Sequence, residues 1–117
     1  MESMDLLSLP DIADVISKPL AVDNRAIELE RVVPFLRYLC DIPHVQKIGV
    51  MVDVREKLIH LLVDPIHLDI LKSVVGATCD WWDAHPGETY WEVLTVGADR
   101  FTNAADAYDL IVVPKGR

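Results

Sequence analysis

Three residues near the middle of the chain have the side-chain types of a metal or ligand site: His60, Asp64 and His67. His60 falls in an apolar run that predicts a strand, and His67 opens the next predicted helix, so the junction should bring the three together. Imidazole and carboxylate groups bind zinc, but the sequence has no His-x-x-x-His pair or acidic ligand loop, and an N-cap role also explains Asp64. We predict no metal and no cofactor. The three residues are ligand candidates in an alternative in which the protein binds a small molecule or is a small enzyme.

The sequence offers little for nucleophilic or phosphate chemistry. Cys40 and His44 are four residues apart, but Pro43 between them disfavours a shared helical face. The five glycines are dispersed, which excludes the P-loop and dinucleotide-binding fingerprints. No catalytic residue is predicted, and a non-catalytic function is favoured.

Four aromatic residues, Trp81, Trp82, Tyr90 and Trp91, form the most informative group in the sequence. The side chains of adjacent helical residues diverge by about 100°, so Trp81 and Trp82 are both buried only if the helix is covered on two sides. Tryptophan and tyrosine are enriched at the energetic centres of protein interfaces. These residues are our candidates for an interface or a pocket. The alternative is a corner of the core with one indole along the surface.

The formal net charge of −8 limits the kinds of partner. Seven acidic and two basic residues lie in residues 1–30, and nine acidic and two basic residues lie in 64–109, whereas 31–63 hold five basic and three acidic ones. Binding to nucleic acid needs a basic surface, so direct nucleic-acid binding is disfavoured and a protein partner is expected. An acidic inhibitor that imitates nucleic acid is a further alternative.

The cysteines and the N-terminal segment predict a cytoplasmic protein. Cys40 and Cys79 lie in apolar helical patterns outside any CxxC spacing, so we predict two buried thiols in a reducing compartment. No basic segment precedes an apolar run at the N-terminus, and no apolar run approaches the ~20 residues that span a bilayer. We therefore expect neither secretion by this route nor membrane insertion.

The length of 117 residues, about half of them apolar, predicts a single α+β domain over residues 1–117 with residues 1–7 frayed. In chain order, the predicted elements are helices over Ser8–Lys18 and from Asp23 or Asn24 to Leu39 or Cys40, strands over Lys47–Asp53 and Leu58–Val63, a helix from Asp64 to about Asp83, a strand over Thr89–Val96, a helical turn or loop over Thr102–Tyr108, and a strand over Asp109–Val113. This order, α-α-β-β-α-β-β, favours a mostly antiparallel four-stranded sheet packed with two to three helices.

Local signals support several of these boundaries. The charged segment Val54–Lys57 is of hairpin length and should join the first two strands. Asp64 followed by Pro65 is typical of a helix start, and this helix should be the longest uninterrupted one. Pro34 is expected to kink or divide the helix that contains it.

From residue 26 to residue 96, the order of elements resembles the roadblock and longin type of regulatory platform, in which a helix precedes a strand hairpin and a second helix. The resemblance is one of element order without a shared motif, so it assigns no role to any residue. It implies a domain that dimerises and docks partners. We predict a non-catalytic interaction or regulatory module that forms a homodimer through a sheet edge or through the region of Trp81, Trp82 and Trp91.

Overall fold

Five strands and three α-helices make up the described part of the chain. The structure is a computed structural model that describes residues 12–17, 24–52, 57–64, 66–88 and 90–115, and for residues 16, 17 and 24–27 it describes the backbone alone. The elements are β1 (Ala13–Ser17), α1 (Asn24–Cys40), β2 (Val45–Val52), β3 (Lys57–Val63), α2 (Leu68–Ala84), β4 (Glu92–Val96), α3 (Ala98–Asn103), a 3₁₀ turn (Ala105–Ala107) and β5 (Leu110–Pro114).

The strands form one mixed sheet with the order β1-β5-β2-β3-β4. β3 and β4 are parallel, and the other three pairings are antiparallel. The predicted α+β class and the mostly antiparallel sheet are confirmed, with five strands where four were predicted. β4 runs parallel to β3. α2 lies between them in the chain, and a crossover of this length allows the second strand to start at the same end of the sheet as the first.

The fifth strand, β1, replaces part of the helix that was predicted over Ser8–Lys18. Its backbone pairs with β5, with Ala13 opposite Pro114 and Val15 opposite Val112. Ala13 is buried while Asp14 is exposed, which is the alternation of a strand. A helix this short gains little stability by itself, whereas the edge of β5 offers a full set of backbone partners. Residues 1–11 and 18 lie outside the described residues, and so does the predicted frayed end.

The β2–β3 hairpin agrees with the sequence prediction, although residues 53–56 between the strands lie outside the described residues. Gly49 pairs with His60 and Val50 with Ile59. β2 also pairs with β5, so it is a central strand. Its alternate residues are apolar and contact different layers on the two faces of the sheet.

α1 is a single helix through Pro34, and it is as long as α2, so the prediction that the helix after Asp64 would be the longest was wrong. The predicted start of α2 was also wrong. His67, not Asp64, occupies the N-cap, and its Nδ1 accepts from the Asp69 backbone N–H at 3.3 Å. The Asp64 backbone N–H donates to the His44 carbonyl, so residue 64 still belongs to the base of the hairpin.

The sheet has two covered faces with different contents. α1 and α2 cover the larger face, called here the helix face, whose core includes Leu36, Ile48 and Leu61. The other face, called here the Tyr108 face, carries a small cluster in which Phe101 and Tyr108 pack over β2 and β3. Each face has its own candidate site.

The two cysteines differ in environment. Cys40 is buried, as predicted, but Cys79 is exposed. α2 turns Val74 and Thr78 toward the core, so the residue after Thr78 points to solvent. In the described ranges, no helix combines the length and the apolar character needed to cross a bilayer.

Candidate functional site

Aromatic side chains join α1 to α2 at the C-terminal end of α2. The ring of Phe35 lies 5.4 Å from that of Trp81 and 4.8 Å from that of Trp82, measured between centroids. Tyr38, one turn after Phe35, contacts Trp81, and its hydroxyl donates to the Ala77 carbonyl at 2.8 Å. Large aromatic rings therefore fill the space between the two helices at this end, and a concave surface lies beside them.

That surface, called here the aromatic groove, has a cavity volume of about 70 Å³. It is lined by residues from α1, from the end of α2 and from the segment before β4: Arg31, Val32, Pro34, Phe35, Trp81, Trp82, His85, Glu88 and Trp91. The three predicted tryptophans thus meet at one site. A cavity of about 150 Å³ holds one benzene molecule, so this groove has room for part of one side chain.

The tryptophans of the groove differ in burial. Trp91 is 2% exposed and belongs to the core of the helix face. Trp81 and Trp82 are half-buried, and Tyr90, which is 66% exposed, lies against Trp82 with the ring centroids 5.2 Å apart. Trp91 is therefore the floor, while Trp81, Trp82 and Tyr90 present ring surface at the exterior.

His85 closes α2 and fixes one wall of the groove. Its ring stacks on Trp81 at a centroid distance of 3.7 Å and an interplanar angle of 18°. Its Nδ1 lies 2.9 Å from the Trp81 carbonyl oxygen, and since a carbonyl only accepts, Nδ1 carries the proton. In the neutral imidazole, Nε2 is then a hydrogen-bond acceptor.

Charged side chains surround the groove unevenly. Arg31 and Glu88 line it, and both are exposed. Arg31 lies 3.7 Å from the Glu28 carboxylate, which is a weak, largely solvated contact. The second carboxylate oxygen of Glu28, Oε2, is buried and has no hydrogen-bond partner among the described residues. α2 also has no basic residue in its last turn to compensate the negative end of its dipole.

The Tyr108 face carries the second candidate site, a closed polar pair. His60 Nδ1 and the Tyr108 hydroxyl form a buried hydrogen bond of 2.8 Å, with the two rings nearly perpendicular. Burial lowers the pKa of His60 below its ordinary value of 6.5, and the positive charge of Arg100 lowers this pKa further. Burial also raises the pKa of Tyr108, against the effect of Arg100. Both side chains are therefore neutral at pH 7.

Gly49 makes room for this pair. A Cβ at residue 49 would lie 2.6 Å from the ring carbons Cε1 and Cζ of Tyr108. Next to Tyr108, the Asp109 carboxylate accepts from the Val52 backbone N–H at 2.8 Å, and the Asp109 backbone N–H donates to the Val50 carbonyl. The residue that follows Tyr108 is thus hydrogen-bonded to β2 through both its backbone and its side chain.

The predicted ligand set of His60, Asp64 and His67 does not assemble. His60 is buried against Tyr108, while Asp64 and His67 are exposed, and His67 contacts Asp69 at 4.0 Å. A search of the residues that the structure describes finds no group of three His, Cys, Asp or Glu side chains that could hold a metal ion. His60 lies in mid-strand, about 13 Å of extended chain before Asp64, which explains the separation.

Sequence reasoning missed several residues of both sites. Phe35 and His85 were not among the candidates, although Phe35 lies three and four residues from Val32 and Leu39, at helical spacing. Tyr108 was predicted only as part of a helical turn or loop. The adjacent histidine and proline at the end of a tryptophan-bearing helix were a usable signal for His85. For Tyr108, contacts across 48 residues decide the role, and no local pattern indicates it.

Comparison with known proteins gives no match: no protein-family model, no curated protein and no solved structure is significantly similar to this chain. The resemblance to the roadblock and longin type therefore has no support beyond element order.

Proposed function

We propose that this domain is a non-catalytic protein-interaction module that self-associates through the outer edge of β4. The observation that supports this proposal is the position of β4 at the end of the sheet, where no other described strand pairs with its outer side. A strand edge with unpaired backbone N–H and C=O groups is a template for a further strand. A second copy of the same chain offers a matching edge.

The side chains of β4 give this edge little protection against pairing. Proteins protect edge strands with lysine, proline, bulges or inward-pointing charges. β4 has the sequence EVLTV, with Glu92 as its one charged residue and no proline. Leu94, at its centre, is 37% exposed although it is a large apolar residue. An edge of this composition favours a partner strand.

The register of the proposed pairing avoids repulsion between the copies. An antiparallel pair with its twofold axis at Leu94 would place Leu94 opposite the same residue of the other copy and Glu92 opposite Val96. The two Glu92 carboxylates would then lie at opposite ends of the pair. This matters because the chain is acidic, and like charges directly opposite each other destabilise strand pairs.

The size of the aromatic groove favours an interaction module over a small-molecule binder or enzyme. Ligand pockets usually have volumes of about 300–1,000 Å³, whereas this groove measures about 70 Å³. His60, which the sequence suggested for the alternative ligand site, is hydrogen-bonded to Tyr108. The hypothesis of an acidic inhibitor has the net charge as its one support.

Sedimentation or light scattering of the wild-type chain and of the Leu94→Lys variant tests the proposal. We expect a dimer for the wild type and a monomer for the variant, because a lysine at the centre of the edge opposes pairing of two copies. Val75→Lys is the control, since Val75 is an exposed apolar residue in the middle of α2. This control should remain dimeric, and circular dichroism should show that both variants are folded.

A wild-type chain that stays monomeric at millimolar concentration would refute self-association. A dimer that both lysine variants preserve would place the contact elsewhere than on β4.

A further inference from the structure

We propose that the aromatic groove binds the cationic head of a lysine or arginine side chain presented by a basic protein partner. This inference rests on the proposed role as a protein-interaction module but not on self-association, because the residues that line the groove belong to α1, to the end of α2 and to the segment before β4, and none belongs to β4 itself.

Aromatic side chains form the walls of the groove. Trp81 and Trp82 are half-buried and line it together with the buried Phe35. Trp91 closes it from below. The face of an aromatic ring carries partial negative charge and attracts ammonium and guanidinium groups, tryptophan most strongly. With room for part of one side chain, the groove suits such a head group.

The polar groups at the rim add to this attraction. Glu88 contributes a carboxylate, and in its neutral form His85 would present Nε2 as an acceptor because its Nδ1–H donates to the Trp81 carbonyl. The C-terminal end of α2 lies at the same rim without a basic side chain in its last turn. Each of these groups favours a positive charge in the groove.

Arg31 is the one group of the lining that opposes a cation. Its side chain is 63% exposed, so water screens its charge, and it lies beside the Glu28 carboxylate. Glu28 Oε2 is buried and lacks a donor among the described residues. Because Glu28 offsets part of the charge of Arg31, the carboxylate of Glu88 can attract a cation in the groove.

The charge of the whole chain favours the same kind of partner. With a net charge of −8 and a pI near 4.7, the protein attracts basic surfaces at long range and repels acidic ones. A basic partner with one protruding lysine or arginine satisfies both the local and the long-range electrostatics.

Titration of three probes, followed by NMR of the indole N–H signals, tests the proposal. The probes are the N-acetyl methylamides of lysine, arginine and norleucine, since norleucine has the aliphatic chain of lysine without the charge. We expect the lysine and arginine probes to shift the indole signals and to bind about tenfold more tightly than norleucine. Equal affinity for norleucine would overturn the proposal in favour of a purely apolar groove, and absence of shifts with all three probes would overturn it altogether.

Two rim variants give effects of opposite sign. Glu88→Gln should weaken binding of the lysine probe by about threefold, and Arg31→Gln should strengthen it by a similar factor. Asp99→Asn is the control, because it removes an exposed charge from α3, on the Tyr108 face of the sheet. It should leave the affinity unchanged. If Arg31→Gln weakens and Glu88→Gln strengthens binding of the lysine probe, the groove does not recognise the positive charge and the proposal is wrong.

Sedimentation separates this inference from the proposed self-association. A monomeric chain that binds the cationic probes contradicts self-association alone. A dimer that ignores the probes contradicts the cation site alone.

Discussion

The two faces of the sheet each pair a histidine with an aromatic ring, and the two pairs differ in what surrounds them. On the Tyr108 face, His60 and Tyr108 meet edge to face, share a hydrogen bond and are buried. On the helix face, His85 lies flat on Trp81 beside an open groove. His60 Nδ1 and the Tyr108 hydroxyl satisfy each other within the chain, so folding accounts for this pair. The groove leaves aromatic surface uncovered, which folding does not require.

The largest expected effect on stability distinguishes Trp91, the buried tryptophan of the groove, from the exposed ring of Tyr90. Trp91→Ala should lower the free energy of unfolding by about 3–5 kcal/mol, because a buried indole leaves a cavity. Tyr90→Ala removes an exposed ring and should change it by less than about 0.5 kcal/mol. Urea unfolding measures both. A small loss for Trp91→Ala would mean that this indole is not part of the core.

The next largest effect on stability is expected at Gly49, where β2 lies against the Tyr108 ring. Gly49→Ala places a methyl group 2.6 Å from the Tyr108 ring, which Phe101 and His60 hold in place. We expect a loss of about 1–3 kcal/mol in the free energy of unfolding. Gly76→Ala is the matched control, since a Cβ at this exposed position in α2 has no atom within 4 Å. It should raise the stability by about 0.5–1 kcal/mol. If both substitutions are stabilising, the Tyr108 ring does not lie on β2.

Local sequence patterns predicted the elements whose partners are near in the chain. The β2–β3 hairpin is an example, because the alternation in both strands is set by neighbours within about twenty residues. β1 could not be recognised this way. Its strand conformation depends on β5, and Ala13 pairs with Pro114 at the other end of the chain. The same segment, read alone, fits a short helix equally well.

The same difference between near and distant partners in the chain applies to the two candidate sites. The proximity of Trp81, Trp82 and Trp91 in the sequence predicted a shared surface, and they do line one groove. The second histidine pair was hidden, because Gly49, His60 and Tyr108 belong to three separate segments. Sequence spacing instead suggested His60 with His67, and strand geometry separates these two.

The hydrogen bond between His60 and Tyr108 should contribute to the stability of the fold. Tyr108→Phe removes the hydroxyl and leaves His60 Nδ1 without its partner, which should cost roughly 1–2 kcal/mol at pH 7.

The burial of His60 should also make stability depend on pH. In the unfolded chain, His60 titrates near pH 6.5, whereas burial lowers its pKa in the folded chain. The unfolded state therefore binds more protons between these two values. This contribution to stability is complete above pH 6.5 and is lost as the pH falls from 6.5 toward the folded pKa.

Thermal unfolding between pH 5 and pH 8 measures this dependence, with His60→Gln as the reference that lacks the titrating group. The wild type should lose more stability than His60→Gln as the pH decreases. Parallel curves for the two proteins would show that His60 is as easily protonated in the folded chain as in the unfolded one.

The smallest expected effect concerns the start of α2, where sequence and structure assign the cap to different residues. His67 accepts from the Asp69 N–H at 3.3 Å, a long bond from an exposed side chain, so His67→Ala should cost only about 0.5–1 kcal/mol. The Asp64 carboxylate is exposed and precedes the first helical residue by four positions, and Asp64→Ala should change the stability by less than about 0.5 kcal/mol. Chemical unfolding at pH 8 is the measurement. If Asp64→Ala costs more than His67→Ala, the helix begins at Asp64 in solution, as the Asp-Pro pair in the sequence predicts.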